Sequence, residues 1–416
     1  MRGSSGVPRR LRVALLGEYP VHEGGIHEGG VQSVTYHLAH ALARRDDVEC
    51  HVVAAMSGAV TDYRREGNLH VHYVKRLPLP KLLTCKVHDI PALKRIVEAI
   101  DPDVVHGQEQ DRHGLAALRS GYPAVVTPHG VTFIESRLLK RNRFDLLGEI
   151  KVRMLVGWER EVFARAAEMI VISRYLPQIY GAMLQAHISF IDNPIDADFF
   201  SLARAPVPGR LLFVGTVVPR KCVPDLVRAF RLLHRRLASG SKSEKALAAA
   251  LHFRIVGPWL HPKTERLLRR LITDLGLERQ VTLVGALSEV DLIDEYSRAH
   301  LLLVGSREET APQVIAQAMA CGLPTIASAV GGIPAMIEDG FSGLLFPFGD
   351  AQKCCDQILR LLQNERLANL ISQRIRDEAR RRFHPDAVAR KTVEVYRSAA
   401  SRQIPGAALP LRPAKA

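Results

Sequence analysis

Long hydrophobic runs are missing from this chain: its most extended apolar stretches, residues 246–251 and 301–304, fall far short of the roughly 18 to 20 residues that a membrane-spanning helix needs. Met1–Gly17 pairs a basic start with apolar Leu11–Leu16, but that core is too brief for a signal peptide and no small-residue cleavage site follows. A first buried strand is the better reading. Cysteine is sparse, and its six positions, 50, 85, 222, 321, 354 and 355, form no C-x-x-C pair and no zinc-type spacing. Neither a disulfide framework nor a metal centre is indicated, and a reducing cytoplasm is the simplest setting. At 6%, aromatic residues are too few for a carbohydrate module built from stacked rings. Acidic residues fall short of basic ones, 43 against 57, which leaves a net charge of +14 and favours anionic partners. Without aromatic-basic interleaving or a recognition helix, no nucleic-acid partner is expected. Peripheral docking on an anionic membrane, at its inner face, is the better use of the charge.

What is present is an ordinary globular composition, 47% hydrophobic and 24% charged over 416 residues, enough for two or three domains. Short aliphatic runs at 11–16, 49–54, 103–106, 123–127, 169–172, 210–214, 252–256, 281–284, 300–304 and 324–327 each give way to helical periodicity. That alternation predicts an α/β protein with parallel sheets. In 226–237, Leu226, Phe230, Leu233 and Leu237 repeat at helical spacing opposite Arg228, Arg231, Arg235 and Arg236. The clearest composition break, Ala203–Gly209, separates a first domain, 1–203, from a second, 204–384. Residues 385–402 read as a helix returning to the first domain, 403–416 as an Ala/Pro-rich disordered tail, and Ala238–Glu244 as a surface loop.

Several loops at strand ends carry chemistry. Gly29 and Gly30 join the first strand's loop to a helical pattern, where helix-start N–H groups accept phosphate or sugar. A turn that needs glycine for backbone freedom explains the pair equally well. Nearby His22 and His27, each followed by a glutamate, read as solvated loop residues rather than metal ligands. His129 ends a buried run in Pro128-His129-Gly130, placed to bond a sugar hydroxyl or simply to satisfy its loop. Arg220 and Lys221 stand between strand and helix, where cations neutralise a diphosphate leaving group, or else are plainly solvated. Residues 300–345 are the richest segment. A buried strand feeds the loop SREETAP, a helix begins near Pro312, Glu308 and Glu309 precede it, and Gln317 falls about two turns in. Carboxylate and amide groups suit a polyhydroxylated ligand, and the alternative for the glutamates is complementing the helix dipole. Asp101-Pro102-Asp103 reads as a helix-to-strand turn and not as a metal clamp.

Taken in order, GGVQSVTYHLAHAL, DVVHGQE, TPHG, VISRYLPQ, IDNPID, FVG with Arg220-Lys221, FRIVG and the 300–345 block resemble glycosyltransferase family 4, retaining enzymes of the GT-B fold. The resemblance spans nearly the whole chain. In that family a Glu, seven residues and a second Glu precede AMA-x-G-x-P. Here Glu309 holds the first position and Gln317 the second, ahead of Ala318-Met319-Ala320-Cys321-Gly322-Leu323-Pro324. The resemblance implies two Rossmann-like domains facing a central cleft and a hexosyltransferase-type activity. The donor is a nucleotide-diphosphate sugar, with no other cofactor and no metal, and the acceptor is a saccharide, a lipid-linked sugar or a small molecule. It gives Glu309 the hydroxyls of the donor sugar, the loop at Thr310 and Ala311 with the helix start the diphosphate, and Gln317 the ribose. Lys221 binds the diphosphate, Gly30 approaches it from the first domain, and His129 sits by the reacting centre. Three positions depart from the pattern: Thr216 replaces an arginine, Cys222 a glycine and Gln317 a glutamate. A nucleotide-sugar epimerase or a glycoside phosphorylase would use the same fold without this block as its mark. Acceptor choice is expected in loops 61–66, 75–90 and 130–150, whose Arg137, Lys140, Arg141 and Arg143, with Lys151, either face an anionic acceptor or form a solvated helix face.

Overall fold

The computed structural model describes residues 9–20, 29–56, 62–75, 89–132, 134, 146–260 and 262–402. His22, His27, most of the 75–90 segment, Arg137, Lys140, Arg141, Arg143 and the 403–416 tail lie outside them.

The chain forms two compact units, one taking the sequence up to Pro194 and again from Pro385, the other Ile195–His384. Eight strands build the first sheet: β1 (Leu11–Leu16), β2 (Val48–Met56), β3 (Asp62–Glu66), β4 (Leu69–Lys75), β5 (Val104–Gln108), β6 (Ala124–Thr127), β7 (Glu168–Val171) and β8 (His187–Phe190). Their order is β3-β4-β2-β1-β5-β6-β7-β8, and only the β3–β4 hairpin is antiparallel. Helices cover such a sheet on both faces, so its central strands carry apolar side chains at consecutive positions, and Val13–Leu16 have no exposed surface. The last helix, Pro385–Ser401, places Val388, Ala389, Val393 and Tyr396 in this core beside Leu38 and Leu42.

The second sheet is wholly parallel: β9 (Arg210–Val214), β10 (His252–Val256), β11 (Val281–Gly285), β12 (Leu301–Val304), β13 (Thr325–Ser328) and β14 (Leu344–Phe346), in the order β11-β10-β9-β12-β13-β14. Against it lies the helix Val223–Ala238, which buries Leu226, Phe230, Leu233 and Leu237 and exposes Arg228, Arg235 and Arg236. Each such side chain contributes roughly 1.5 to 3 kcal/mol by leaving water. Only Ser239-Gly240-Ser241 is non-helical in the stretch expected to be a longer loop. Ser241 and Glu244 form a capping box that starts a new helix, Lys242–Ala250, at once. The exchange between units falls at Pro194, ahead of the Ala203–Gly209 break, because Phe199 and Phe200 of the short helix Asp198–Ser201 pack into the second core.

Strand order reverses between β1 and β5 in the first sheet and between β9 and β12 in the second. At such points the loops leaving the carboxyl ends of two adjacent strands diverge and leave a crevice for ligands.

Candidate functional site

In the second unit, β9 leads through Gly215 and the short turn Pro219–Lys221 into the helix Val223–Ala238, while β12 leads through residues 305–312 into the helix Gln313–Cys321. Because β9 and β12 are neighbours, the two loops meet. Lys221 Nζ donates to Glu309 Oε1 at 2.5 Å, and Ser306 Oγ donates to the same oxygen at 2.7 Å. Arg220 Nη1 lies 3.3 Å from Glu309 Oε2 and donates to the Glu308 carbonyl at 2.9 Å, and the Arg307 amide donates to the Arg220 carbonyl at 2.8 Å. Glu309 is 6% exposed. Burial by itself would raise its pKa, but Lys221 and Arg220 outweigh that and hold it below the usual carboxylate range. The site therefore presents an ionised carboxylate between two cations.

Glycines let these loops close. Gly331 has φ +53°, and a Cβ there would lie 2.1 Å from the Glu309 carbonyl oxygen, which also accepts from the Gly332 amide at 2.8 Å. Gly257, with φ +138°, would likewise bring a Cβ to 2.1 Å from the Gly215 carbonyl. Thr310 is buried and Ala311 half-buried just before the helix Gln313–Cys321, whose first turn carries no acidic residue. Gln317 lies on that helix and accepts through Oε1 from the hydroxyl of fully buried Tyr296 at 2.9 Å. This assigns the amide oxygen inward and leaves its NH2 group as the outer donor.

The departure at Cys222 has a backbone consequence, for Cys222 sits in the left-handed region with φ +47° and ψ +38°. Only glycine adopts that conformation without steric cost. Cys222→Gly is accordingly expected to leave the stability unchanged or raise it by up to about 1 kcal/mol, read from the midpoint of chemical denaturation. A loss of more than about 1 kcal/mol would refute this account.

In the first unit, His129 follows β6, and its Nε2 lies 2.7 Å from Gln108 Oε1, while its amide donates to Gln110 Oε1 at 3.3 Å. With the Gln108 oxygen accepting, Nε2 carries the proton and Nδ1 is the ring's acceptor. Burial pushes the His129 pKa down to about 4, so the ring is neutral at pH 7. Behind it, fully buried His106 lies 2.7 Å from both the Tyr396 hydroxyl and Thr127 Oγ1. Gly29 precedes the helix Gly30–Ala43 with extended backbone, φ −178°, and a Cβ there would meet nothing within 4 Å. Among the described residues, neither conformation nor packing demands glycine at position 29. Gly17 differs, since its Cβ would lie 2.9 Å from Thr35 Oγ1.

At the carboxyl end of β5, Asp111 caps the helix Arg112–Leu118 by accepting from the His113 amide, and buried Arg112 is held by Asp111, Glu18 and Asp89. Asp103 accepts from the Arg12 amide at 2.9 Å and from Arg9 at 3.0 Å, and Asp101 closes the helix Ile90–Ile100 with φ +49°. The Asp-Pro-Asp segment is thus a helix-to-strand turn.

Of the residues singled out in the sequence, the structure brings Arg220, Lys221 and Glu309 into contact, with Thr310 and Ala311 adjoining and Gln317 on the helix that starts there. Gly29, Gly30 and His129 belong to the first unit. Ser306, Tyr296, Gln108 and Gly331 escaped the sequence reading. Gly331-Gly332 was visible as a glycine pair and Ser306 lies three residues from Glu309, whereas Tyr296 and Gln108 act through contacts 21 residues along the chain.

Residues 194–381 match the family described as Glycosyl transferases group 1, and residues 28–199 match Glycosyltransferase Family 4. A D-inositol 3-phosphate glycosyltransferase from Mycolicibacterium smegmatis is 32% identical over 86% of this chain and 84% of its own length. Among solved structures, sucrose-phosphate synthase from Thermosynechococcus elongatus superposes with a TM-score of 0.73 at 18% identity, over 94% of this chain and 99% of that one. HepE from Anabaena, in complex with UDP and glucose, gives 0.69 at 17% identity, over 94% and 100%. These similarities establish the GT-B fold of two Rossmann-like, parallel-sheet units. Among the described residues, no helix is long and apolar enough to cross a membrane.

Proposed function

The chain belongs to the group 1 and family 4 glycosyltransferases, and on that premise we propose that it transfers a hexose from a nucleotide-diphosphate sugar with retention of configuration. The observation that carries the donor assignment is the Lys221–Glu309–Arg220 cluster beside the start of the helix Gln313–Cys321. Two cations, the loop at Thr310 and Ala311, and a helix N-terminus adjoin one another there, which suits a diphosphate. Charge that develops on the departing nucleotide is stabilised by Lys221 and Arg220, so the transfer needs no divalent ion. Glu309, ionised and buried, accepts hydrogen bonds from the sugar's hydroxyls, and Gln317 meets the ribose through its outer NH2 group. In the first unit by itself, the absent side chains of Gly29 and Gly30 leave room for a ligand, and the Nδ1 of neutral His129 is an acceptor suited to a sugar hydroxyl.

The acceptor is a hydroxyl compound bearing negative charge. Two features support this: the relative's name specifies an inositol phosphate, and this chain carries a net charge of +14. That charge also supports peripheral contact with an anionic membrane when the acceptor is lipid-linked.

A panel of UDP-, GDP- and ADP-sugars, screened by saturation-transfer NMR and then for turnover with phosphorylated polyols and lipid-linked sugars, tests the reading. Binding of one nucleotide class, with transfer, is expected. Failure of every donor to bind or turn over would end it. On the donor found, Gln317→Glu should tighten nucleotide binding about fivefold in calorimetry, since a carboxylate bonds ribose hydroxyls about 1 kcal/mol more strongly than an amide and Tyr296 can still donate to it. Weaker binding would dissociate Gln317 from the ribose.

A further inference from the structure

A second cluster of chemically capable side chains lies in the first unit. Val48, Cys50, Val52, Leu69, Val71 and Tyr73 of β2 and β4 turn into the core, so Glu49, His51, His70 and His72 share the opposite face of the sheet. His51 and His70 are direct neighbours across the parallel pair, and their rings stack 4.4 Å apart at 15°. A nitrogen from each of these two histidines and a carboxylate oxygen of Glu49 all lie within 4.8 Å of one another.

The outer nitrogens are already held. His51 Nδ1 lies 3.1 Å from His72 Nε2, and His70 Nδ1 lies 2.7 Å from the hydroxyl of Tyr63 on β3. His51 Nε2 is 2.9 Å from Glu49 Oε1, which also receives Arg12 Nε at 3.0 Å. Metal-bound histidines characteristically have their second ring nitrogen anchored in this way, and because stacked rings aim their lone pairs along nearly parallel planes, half-exposed His70 turns to bring its nitrogen onto the ion.

We propose that Glu49, His51 and His70 bind a zinc-type divalent transition-metal ion that clips β4 to β2. Two imidazoles and one carboxylate suit Zn2+ and its first-row neighbours, whereas Mg2+ and Ca2+ favour all-oxygen sets. The ion takes the place of the hydrogen between His51 Nε2 and Glu49, the His51 ring carries its proton on Nδ1 toward His72 Nε2, and solvent completes the coordination. Its structural effect falls on the β3–β4 hairpin. β3 (Asp62–Glu66) is a mostly exposed, charged edge strand that pairs with β4 alone, and Tyr63 connects it to the ligand His70. None of these residues belongs to the proposed donor site, so the inference stands apart from the transferase reading.

The full-length chain, freed of any affinity tag and stripped with a chelator, is titrated with Zn2+ by calorimetry and with Co2+ by visible absorption, and its Tm is recorded with and without metal. One Zn2+ per chain, Co2+ bands of low-symmetry nitrogen and oxygen ligation, and a raised Tm are expected. His51→Gln and His70→Gln should each weaken binding at least tenfold, and His72→Gln about 10- to 100-fold through lost orientation of His51. Because His51 is buried, half-exposed His70 provides the variant that keeps the fold, checked by circular dichroism. Asp111→Asn, at a separate carboxylate–histidine cluster of Glu109, Asp111 and His113, should leave binding intact. Absence of stoichiometric binding, unchanged affinity in His70→Gln, or loss of binding in Asp111→Asn would each overturn the assignment.

Discussion

Glu309→Gln is expected to leave the fold in place and lower kcat/KM for sugar transfer at least about 100-fold, equivalent to about 2.7 kcal/mol of lost transition-state stabilisation. The amide matches the carboxyl in shape and can still accept from Ser306 Oγ or Lys221 Nζ. What it removes is the negative charge that two cations hold in a buried place. A neutral amide accepts fewer and weaker hydrogen bonds from sugar hydroxyls, and it leaves Lys221 and Arg220 without their counter-charge. Activity within a few-fold of the wild type would remove Glu309 from the donor site. A paired measurement separates the two duties of Lys221. In the Glu309→Gln background, Lys221→Met should still weaken binding of the nucleoside diphosphate product, because the cation then acts on phosphate. If calorimetry shows no change there, Lys221 is only the counter-ion of Glu309.

Gly331→Ala carries the second large effect, and it acts through the backbone. A Cβ at Gly331 would lie 2.1 Å from the Glu309 carbonyl oxygen, and φ there is +53°. The added methyl cannot be accommodated by a side-chain rotation, because its neighbour is main chain. Either the loop carrying Glu309 moves or residues 330–332 do, and the Gly332 amide bond to the same carbonyl is disturbed in both cases. A loss of about 2 to 4 kcal/mol in denaturation midpoint is expected, together with loss of transfer, as the carboxylate leaves its place between Lys221 and Arg220. Gly349→Ala is the control, since Gly349 has φ +79° but nothing within 4 Å of a Cβ. It should cost about 1 to 2 kcal/mol and leave activity intact. Equal behaviour of the two variants would show that backbone conformation alone, not the contact with Glu309, sets the requirement.

The sequence on its own determined the fold class and the positions of the central strands. Val13–Leu16 and Leu301–Val304 are buried on both faces, so their apolar character is continuous and readable without any knowledge of neighbours. It determined the start of the helix Gln313–Cys321 as well, because Pro312 is a local signal. Four outlying strands were another matter, although the edge strand β11 was readable at 281–284. β3 and β8 are largely exposed, β14 is three residues long, and β4 alternates histidine with apolar residues, so none shows an aliphatic run. Only the tertiary structure decided what the loop residues do to one another. Lys221 and Glu309 are 88 residues apart and meet because β9 and β12 pair, and Gly331 and Tyr296 reach Glu309 and Gln317 through the same kind of non-local packing. The periodicity of a segment reports which of its faces is buried. It carries no information about which other segment does the burying, and that choice, made by the order of strands in the sheet, is what places two cations on one carboxylate.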